Sequence, residues 1–297
     1  MVSIGVAIPT YDREKHLGVL LESIPSDMPI YVSDNGSFLT PAFKDRFPTV
    51  DFRSISGNPV PPLANWNVAA KMVKEDWVII PSDDDLYYKD SFHVIREYLE
   101  RYNFADLVIF GHDAIDENYK KIGEWSPKNK SVCQAPSGFK FFKYGVEARM
   151  PSIIFKRKLL EQLDFFDESF KITAGDSDLV QRALIQGLSV FIPKIVSGYR
   201  IWVGGSTHKT ISSIEWMREI DRWGEKLSCN LRGLSGYSCQ AATIKAELYA
   251  QNLISGIASA KKTDGYFFAW SHMLRCKYPL NAKLGTQVKL IFNLLKP

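Results

Sequence analysis

Short apolar runs and helical periodicities alternate along the first two-thirds of this chain. Runs rich in β-branched and aromatic side chains at 2–8, 30–33, 52–56, 77–81 and 107–110 predict strands. Between them, apolar residues recur at helical spacing over 15–24, 63–73 and 90–101, and Trp66, Ala69, Ala70 and Val73 mark one buried face. Strands and helices in this alternation predict an α/β fold with a mostly parallel central sheet, and strands this uniformly apolar are expected where helices cover both faces. From 113 to 145 the pattern loosens, with Gly, Pro, Asn and Lys frequent. Only a small hairpin around Trp125 and a short helix at 139–144 are expected there. Order returns at 152–155, with helices over 156–163 and 176–186 and strands at 189–192 and 196–201. Beyond Thr210 the pattern is helical, over 214–226, 241–259 and a final amphipathic segment. The expected division is a catalytic-type α/β region at 1–210, with halves at 1–112 and 113–210, and a helical region at 211–297.

Four polar segments stand where strands give way to loops or helices: Pro9-Thr10-Tyr11-Asp12-Arg13, Ser33-Asp34-Asn35-Gly36-Ser37, Asp83-Asp84-Asp85 and Thr173-Ala174-Gly175-Asp176-Ser177-Asp178. Three carboxylates at the exit of a buried strand repel one another. A divalent cation is the simplest relief, because Mg²⁺ and Mn²⁺ prefer hard oxygen ligands and bind through carboxylates together with substrate phosphates. The local alternative is a polar turn whose aspartates cap the helix starting near Lys89. In an open parallel sheet, ligands bind outside the carboxyl ends of the strands, so these segments would converge on one crevice.

The residue types suit a nucleotide. Asp34 can accept from a base imide N–H, Thr10 and Tyr11 can face the ribose or base, and Asp83 and Asp85 can approach a cation and the ribose hydroxyls. Locally, 34–37 is also a good turn sequence and Thr10 a good helix cap. Asp176, at a helix N-terminus, is kept ionised, as a general base must be. As a plain N-cap, with Asp178 a first-turn charge, it needs no chemistry. Arg182, one turn past Asp178, would pair with it or reach a phosphate. His208, in a glycine-rich segment at 204–209, would be a third metal ligand or meet the leaving diphosphate with Lys209 or Arg200, on a loop able to close over a donor. Its alternative is an exposed loop histidine. Tyr199 and Trp202 would shape an acceptor site or belong to the core.

Five elements in this order, Ile8-Pro9-Thr10-Tyr11-Asp12-Arg13, Val32-Ser33-Asp34-Asn35-Gly36-Ser37, Asn65-Trp66-Asn67, Ser82-Asp83-Asp84-Asp85 and Gly175-Asp176-Ser177-Asp178 with Arg182, resemble an inverting GT-A glycosyltransferase of family 2, the type that builds bacterial surface polysaccharides. The resemblance covers roughly 2–205. It implies a D-x-D pair, Asp83 and Asp85, holding Mn²⁺ or Mg²⁺ and the donor diphosphate, with Asp84 a substitute; the loop reading adds His208 as a further ligand. It implies a UDP-, GDP- or dTDP-sugar site drawing on Pro9, Thr10, Tyr11, Arg13, Asp34, Asn35, Asn65, Asp83, Asp84, Arg182 and His208. Asp176 would deprotonate a hydroxyl of a glycan or lipid-linked oligosaccharide acceptor in O-antigen or capsule assembly, and a single displacement would invert the anomeric centre. Two positions depart from the pattern. Gly175 stands where a Glu is usual, which leaves Asp178 beside Asp176 as candidate base, and Asn35 replaces a second Asp, which leaves the nucleotide open.

Composition changes this picture little. With 45% hydrophobic and 24% charged residues the chain can bury a sizeable core, and a net charge of +4 is too small to argue for nucleic acid. Cys133, Cys229, Cys239 and Cys276 form no C-x-x-C pair, which disfavours zinc and suits a reducing, cytoplasmic setting. The first residues lack a basic leader and cleavage site, and no apolar run is long enough to span a membrane. Charge matters at the tail. Residues 261–297 hold seven Lys or Arg against Asp264 alone, and Leu284, Val288, Ile291 and Leu295 recur at helical spacing among Lys283, Lys289 and Lys296. A basic amphipathic helix over 283–296 suits the inner face of a cytoplasmic membrane; packing on the domain or a dimer contact are the alternatives. Two other functions compete. A nucleotidyltransferase also places carboxylates and Mg²⁺ at strand ends, but would show a glycine-rich basic loop where Thr10-Tyr11-Asp12-Arg13 stands. A non-catalytic nucleotide-sugar-binding protein would carry the same loops with an idle base.

Overall fold

In the computed structural model, which describes residues 2–201 and 210–296, the apolar runs of the first half lie side by side. β1 (Ile4–Thr10), β2 (Ile30–Asn35) and β4 (Trp77–Ile79) are buried at every position, as strands covered on both faces must be. β3 (Val50–Ile55), at the sheet edge, is only partly buried. β1 runs parallel to both β2 and β4, with Thr10 opposite Asp34 and Val6 opposite Ile79. This register delivers the first two polar loops and the acidic triplet to the same end of the sheet.

The sheet order is β3-β2-β1-β4-β9-β6-β10-β5, where β5 is Leu86–Tyr87, β6 Leu107–Ile115, β9 Ile153–Lys156 and β10 Ser189–Arg200. The expectation of parallel strands holds through β3-β2-β1-β4. β9 lies antiparallel between β4 and β6, and β5 antiparallel on β10, so the whole sheet is mixed. A parallel neighbour needs a crossover, usually helical, and the helix-poor stretch before β9 supplies none. The hairpin expected around Trp125 is present as β7 (Lys121–Trp125) on β6, and β8 (Ser131–Cys133) pairs with β10. The two strands expected at 189–201 are one, interrupted by register shifts near Ile195.

The helices follow the periodicities closely: α1 (Glu14–Ser23), α3 (Pro62–Met72), α4 (Ser91–Arg101), α5 (Arg157–Gln162) and α6 (Gly175–Gln186). α2 (Pro41–Asp45) was hidden by its length; Thr40 caps it by accepting the Phe43 amide at 3.2 Å, with Pro41 in the first turn. In place of a helix at 139–144 there is a 3₁₀ turn, Ser137–Phe141.

Two compact units result. One comprises Met1–Phe141, Val146–Lys171 and Leu179–Trp202; the other comprises Phe142–Gly145, Ile172–Asp178 and Val203–Pro297. The first is built on the sheet. The second is built on α7 (Ile214–Arg232), α8 (Ala241–Asp264), α9 (Tyr266–Arg275) and α10 (Leu284–Leu295), with Leu231, Ile244, Leu248, Leu253, Ile257 and Leu290 at its centre. α8 and α9 approach closely at Gly256, where a Cβ would stand 2.7 Å from His272 Nε2 and 2.9 Å from the Ile211 carbonyl. Among the described residues no helix is long and apolar enough to cross a membrane.

Candidate active site

The acidic triplet is not a helix cap. Asp90 precedes α4 without a side-chain capping bond, and Asp83, Asp84 and Asp85 are all buried at the sheet end. Their partners come from the first loop and from β10. Thr10 Oγ1 donates to Asp83 Oδ2 at 2.7 Å, and Arg13 Nη1 lies 3.2 Å from Asp83 Oδ1 and 2.8 Å from Asp84 Oδ2. The Ser82 amide donates to Asp85 Oδ2 at 2.8 Å. Arg200 donates from Nε to the Asp84 carbonyl at 3.0 Å and from Nη1 to the carbonyls of Asp116 and Glu117, with its guanidinium 4.1 Å over the Tyr119 ring. It braces the triplet backbone against the β6–β7 turn, a structural task that its position at the end of a strand did not disclose.

Burial penalises these charges. It pushes the Asp83 carboxyl up to about 6, with Asp84 adding and Arg13, Thr10 and the Tyr11 backbone opposing. Asp85 is raised well above the usual carboxylate range, first by burial and then by Asp84. His16, on α1 beside the triplet, is lowered, chiefly by burial and then by Arg200. Asp85 Oδ1 is buried without a hydrogen-bond partner. An orphaned carboxylate oxygen among crowded carboxylates fits a hard divalent cation. Among the described residues no group of three or more His, Cys, Asp or Glu side chains is arranged to hold a metal by itself. Asp83 and Asp85 would therefore be partial ligands, the rest of the shell coming from phosphate oxygens and water, as Mg²⁺ sites commonly do.

The second loop is anchored from within. Asp34 is fully buried; it accepts the amides of Phe38 and Leu39 at 3.0 and 3.2 Å and the Ser54 hydroxyl at 3.2 Å, with Lys44 Nζ at 3.6 Å. Asn35 exchanges hydrogen bonds with the Val60 backbone. Asn65 accepts from Ser33 Oγ at 2.6 Å and donates to the Thr10 carbonyl, tying the carboxyl ends of β1 and β2 together. Pro9 lies within buried β1. Sequence reasoning missed Phe38. Its exposed ring meets exposed Tyr11 edge-on at 5.1 Å, so two aromatic faces flank the carboxyl ends of β1 and β2.

Both loops hold a non-glycine residue in the left-handed region, Asp12 (φ 50°) and Ser37 (φ 59°), and Ala174 (φ 67°) does so before α6. Such backbone persists only where its surroundings impose it, and it concentrates at functional sites.

α6 opens with Asp176 exposed and Asp178 buried. The Ser177 amide donates to Asp176 Oδ1 at 2.7 Å. In the same unit, Glu219 Oε2 accepts the amides of Ile172 and Thr173 at 3.0 and 2.9 Å, which pins the segment leading to Asp176. Arg182 is engaged by the Leu163 and Phe165 carbonyls at 2.7 and 2.8 Å. Tyr199 is half-buried against His112 and Arg149, whose guanidinium is 5.3 Å from its ring centre. His208 and Trp202 lie outside the described residues.

No family model matches the chain, and no curated protein sequence is similar to it at a significant level. Solved structures are similar in fold. Residues 1–349 of S. aureus TarS, in complex with UDP-GlcNAc, align with a TM-score of 0.68 at 16% identity, over 98% of this chain and 89% of that one. The mannosyltransferase PcManGT from Pyrobaculum calidifontis, in complex with GDP-Man and Mn²⁺, aligns with a TM-score of 0.55 at 16% identity, over 99% and 86%. The mixed sheet flanked by helices, followed by a helical carboxyl-terminal region, is thus a GT-A-like fold.

Proposed function

We propose that the chain is an inverting, metal-dependent glycosyltransferase that moves a sugar from a nucleotide-diphosphate donor to a hydroxyl of a glycan acceptor. The observation that carries this reading is the buried triplet at the strand ends, cradled by Thr10 and Arg13 and leaving Asp85 Oδ1 without a partner. The fold shared with proteins holding UDP-GlcNAc and GDP-Man supports it. A surface-polysaccharide role, with a lipid-linked acceptor, is part of the same proposal and follows the family resemblance.

Asp83 and Asp85 would hold Mn²⁺ or Mg²⁺, which supplies positive charge for the departing diphosphate. Arg13, already at the triplet, adds a fixed cation on the same side. Asp34, Asn35 and Asn65 act by holding the nucleotide-facing loops in shape, while Tyr11, with Phe38, offers the base an aromatic face. Asp176 takes the proton of the acceptor hydroxyl. That oxygen bonds to the anomeric carbon as the bond from this carbon to the diphosphate oxygen breaks, the electron pair leaving with the diphosphate. One displacement inverts the centre. His208 would meet the leaving diphosphate or the cation, while Arg182, bonded to the Leu163 and Phe165 carbonyls, would reach a phosphate only by giving up one of these bonds.

A thermal-shift screen of UDP-, GDP- and dTDP-sugars, with and without Mn²⁺, tests this directly. One nucleotide series is expected to raise the midpoint, and Mn²⁺ to enlarge the rise, because binding to the folded state alone adds its free energy to stability. Donor stabilisation indifferent to the metal would remove the role given to the triplet. Tyr11→Ala is expected to weaken nucleotide binding about tenfold, the usual worth of one base–aromatic stack; unchanged affinity by calorimetry would take the base away from this face.

A further inference from the structure

The helical unit displays more apolar surface than its own packing uses. On α10 the stripe Leu284, Val288, Ile291 and Leu295 faces outward, with Leu284 78% exposed, while Leu290 and Leu294 on another side of the helix are the buried ones. The alternative in which the stripe packs on its own domain does not hold. On α9, Ala269 and His272 turn inward, and Phe267 and Leu274 are 78% and 79% exposed.

Lys261 of α8 links the two helices. Lys261 Nζ donates to the carbonyls of Asn293 and Lys296 at the end of α10 and lies 5.0 Å over the Tyr266 ring at the start of α9. Gln287 of α10 donates to the carbonyls of Leu280 and Ala282 in the connection. Exposed apolar surface of this extent marks an interaction site. At 10 and 12 residues, neither helix is long enough to cross a bilayer.

The rim of this surface identifies its occupant. Residues 261–297 carry seven basic side chains and one acid, and Lys262, Arg275, Lys289 and Lys296 are exposed. Lys289 lies next to Val288 on α10 and Lys296 follows Leu295 at its end, where the interface of an anionic membrane would meet them. A second copy of the chain would bring two positive rims together, which like-charge repulsion opposes.

We propose that α9 and α10 form a peripheral seat on an anionic lipid bilayer, with Phe267, Leu274, Leu284 and Phe292 in the interface and the basic residues against the headgroups. The proposal goes beyond sugar transfer and uses no residue of the nucleotide site.

Flotation of the full chain with phosphatidylcholine vesicles, and with vesicles containing phosphatidylglycerol, tests it. Wild type is expected to float with the anionic vesicles, less so at high salt. The double variant Phe267→Ser, Phe292→Ser is expected to bind at least about tenfold more weakly, given the apolar area removed, with its thermal midpoint unchanged because both side chains are exposed. Should that midpoint fall, Lys289→Glu, which alters charge alone, carries the test through loss of anionic-vesicle binding. Wild type that floats with neither vesicle overturns the proposal. So does dimerisation by light scattering that the serine variant abolishes in the absence of vesicle binding, which would make a second copy the occupant.

Discussion

Asp176→Asn is expected to lower turnover by about 10²–10⁴-fold while leaving the donor dissociation constant unchanged, the range that removal of a positioned general base spans. Of the two aspartates at the start of α6, Asp176 is the exposed one and Asp178 is buried. An acceptor hydroxyl must reach its base, so exposure supports the proposal of Asp176. The Ser177 amide donates to Asp176 Oδ1 at 2.7 Å, which orients the carboxyl at the helix start. Asp178→Asn should act mainly on stability, since its side chain is enclosed. Steady-state kinetics paired with calorimetry of donor binding separates these outcomes. Undiminished turnover in Asp176→Asn would remove the base assignment, and loss of donor affinity alone would recast the residue as a binding group.

Asp83→Asn is expected to abolish Mn²⁺-dependent transfer, by at least about 10³-fold if the cation stabilises the leaving diphosphate by several kcal/mol. It carries a second, opposite signature. The Asp83 carboxyl is pushed from its ordinary value of 3.8 up to about 6, principally by burial. Between those two values the unfolded chain has released the proton while the folded chain keeps it. Stability therefore falls as pH rises through that window and stays low above it, by about 3 kcal/mol for a shift of this size. The amide has no charge to bury. At pH 8 the metal-free variant is expected to melt several degrees above metal-free wild type, and added Mn²⁺ should raise the wild type alone. A variant that melts lower than wild type at pH 8, and still responds to Mn²⁺, would break the assignment on both counts.

Much of the architecture was legible in the residues. Trp77, Val78 and Ile79, apolar without alternation, announce a strand covered on both faces, and the spacing of Ala69, Ala70 and Val73 announces the helix beside it. What periodicity cannot express is direction. Ile153 to Phe155 read equally well as a parallel strand, and only the missing crossover makes β9 antiparallel. Site residues were legible by type more than by task. Asp34 has the chemistry to meet a base, yet its carboxylate is enclosed by the amides of Phe38 and Leu39. Asn65 likewise stitches two strand ends together. Such tasks depend on tertiary neighbours far apart in sequence, and no local pattern encodes them. Phe38 was passed over because an aromatic residue after a turn resembles any core residue until its exposure is known. Glu219 was hidden for the opposite reason, as one acid among many on an amphipathic helix.

That last residue bears on how such a protein can evolve. The segment carrying Asp176 lies between two stretches of the sheet unit in the chain, yet it belongs to the helical unit, held there by Glu219. A recombination event that joined the first 210 residues to a foreign tail would keep every motif and lose the support beneath the proposed base. Sheet and tail are therefore expected to be inherited together.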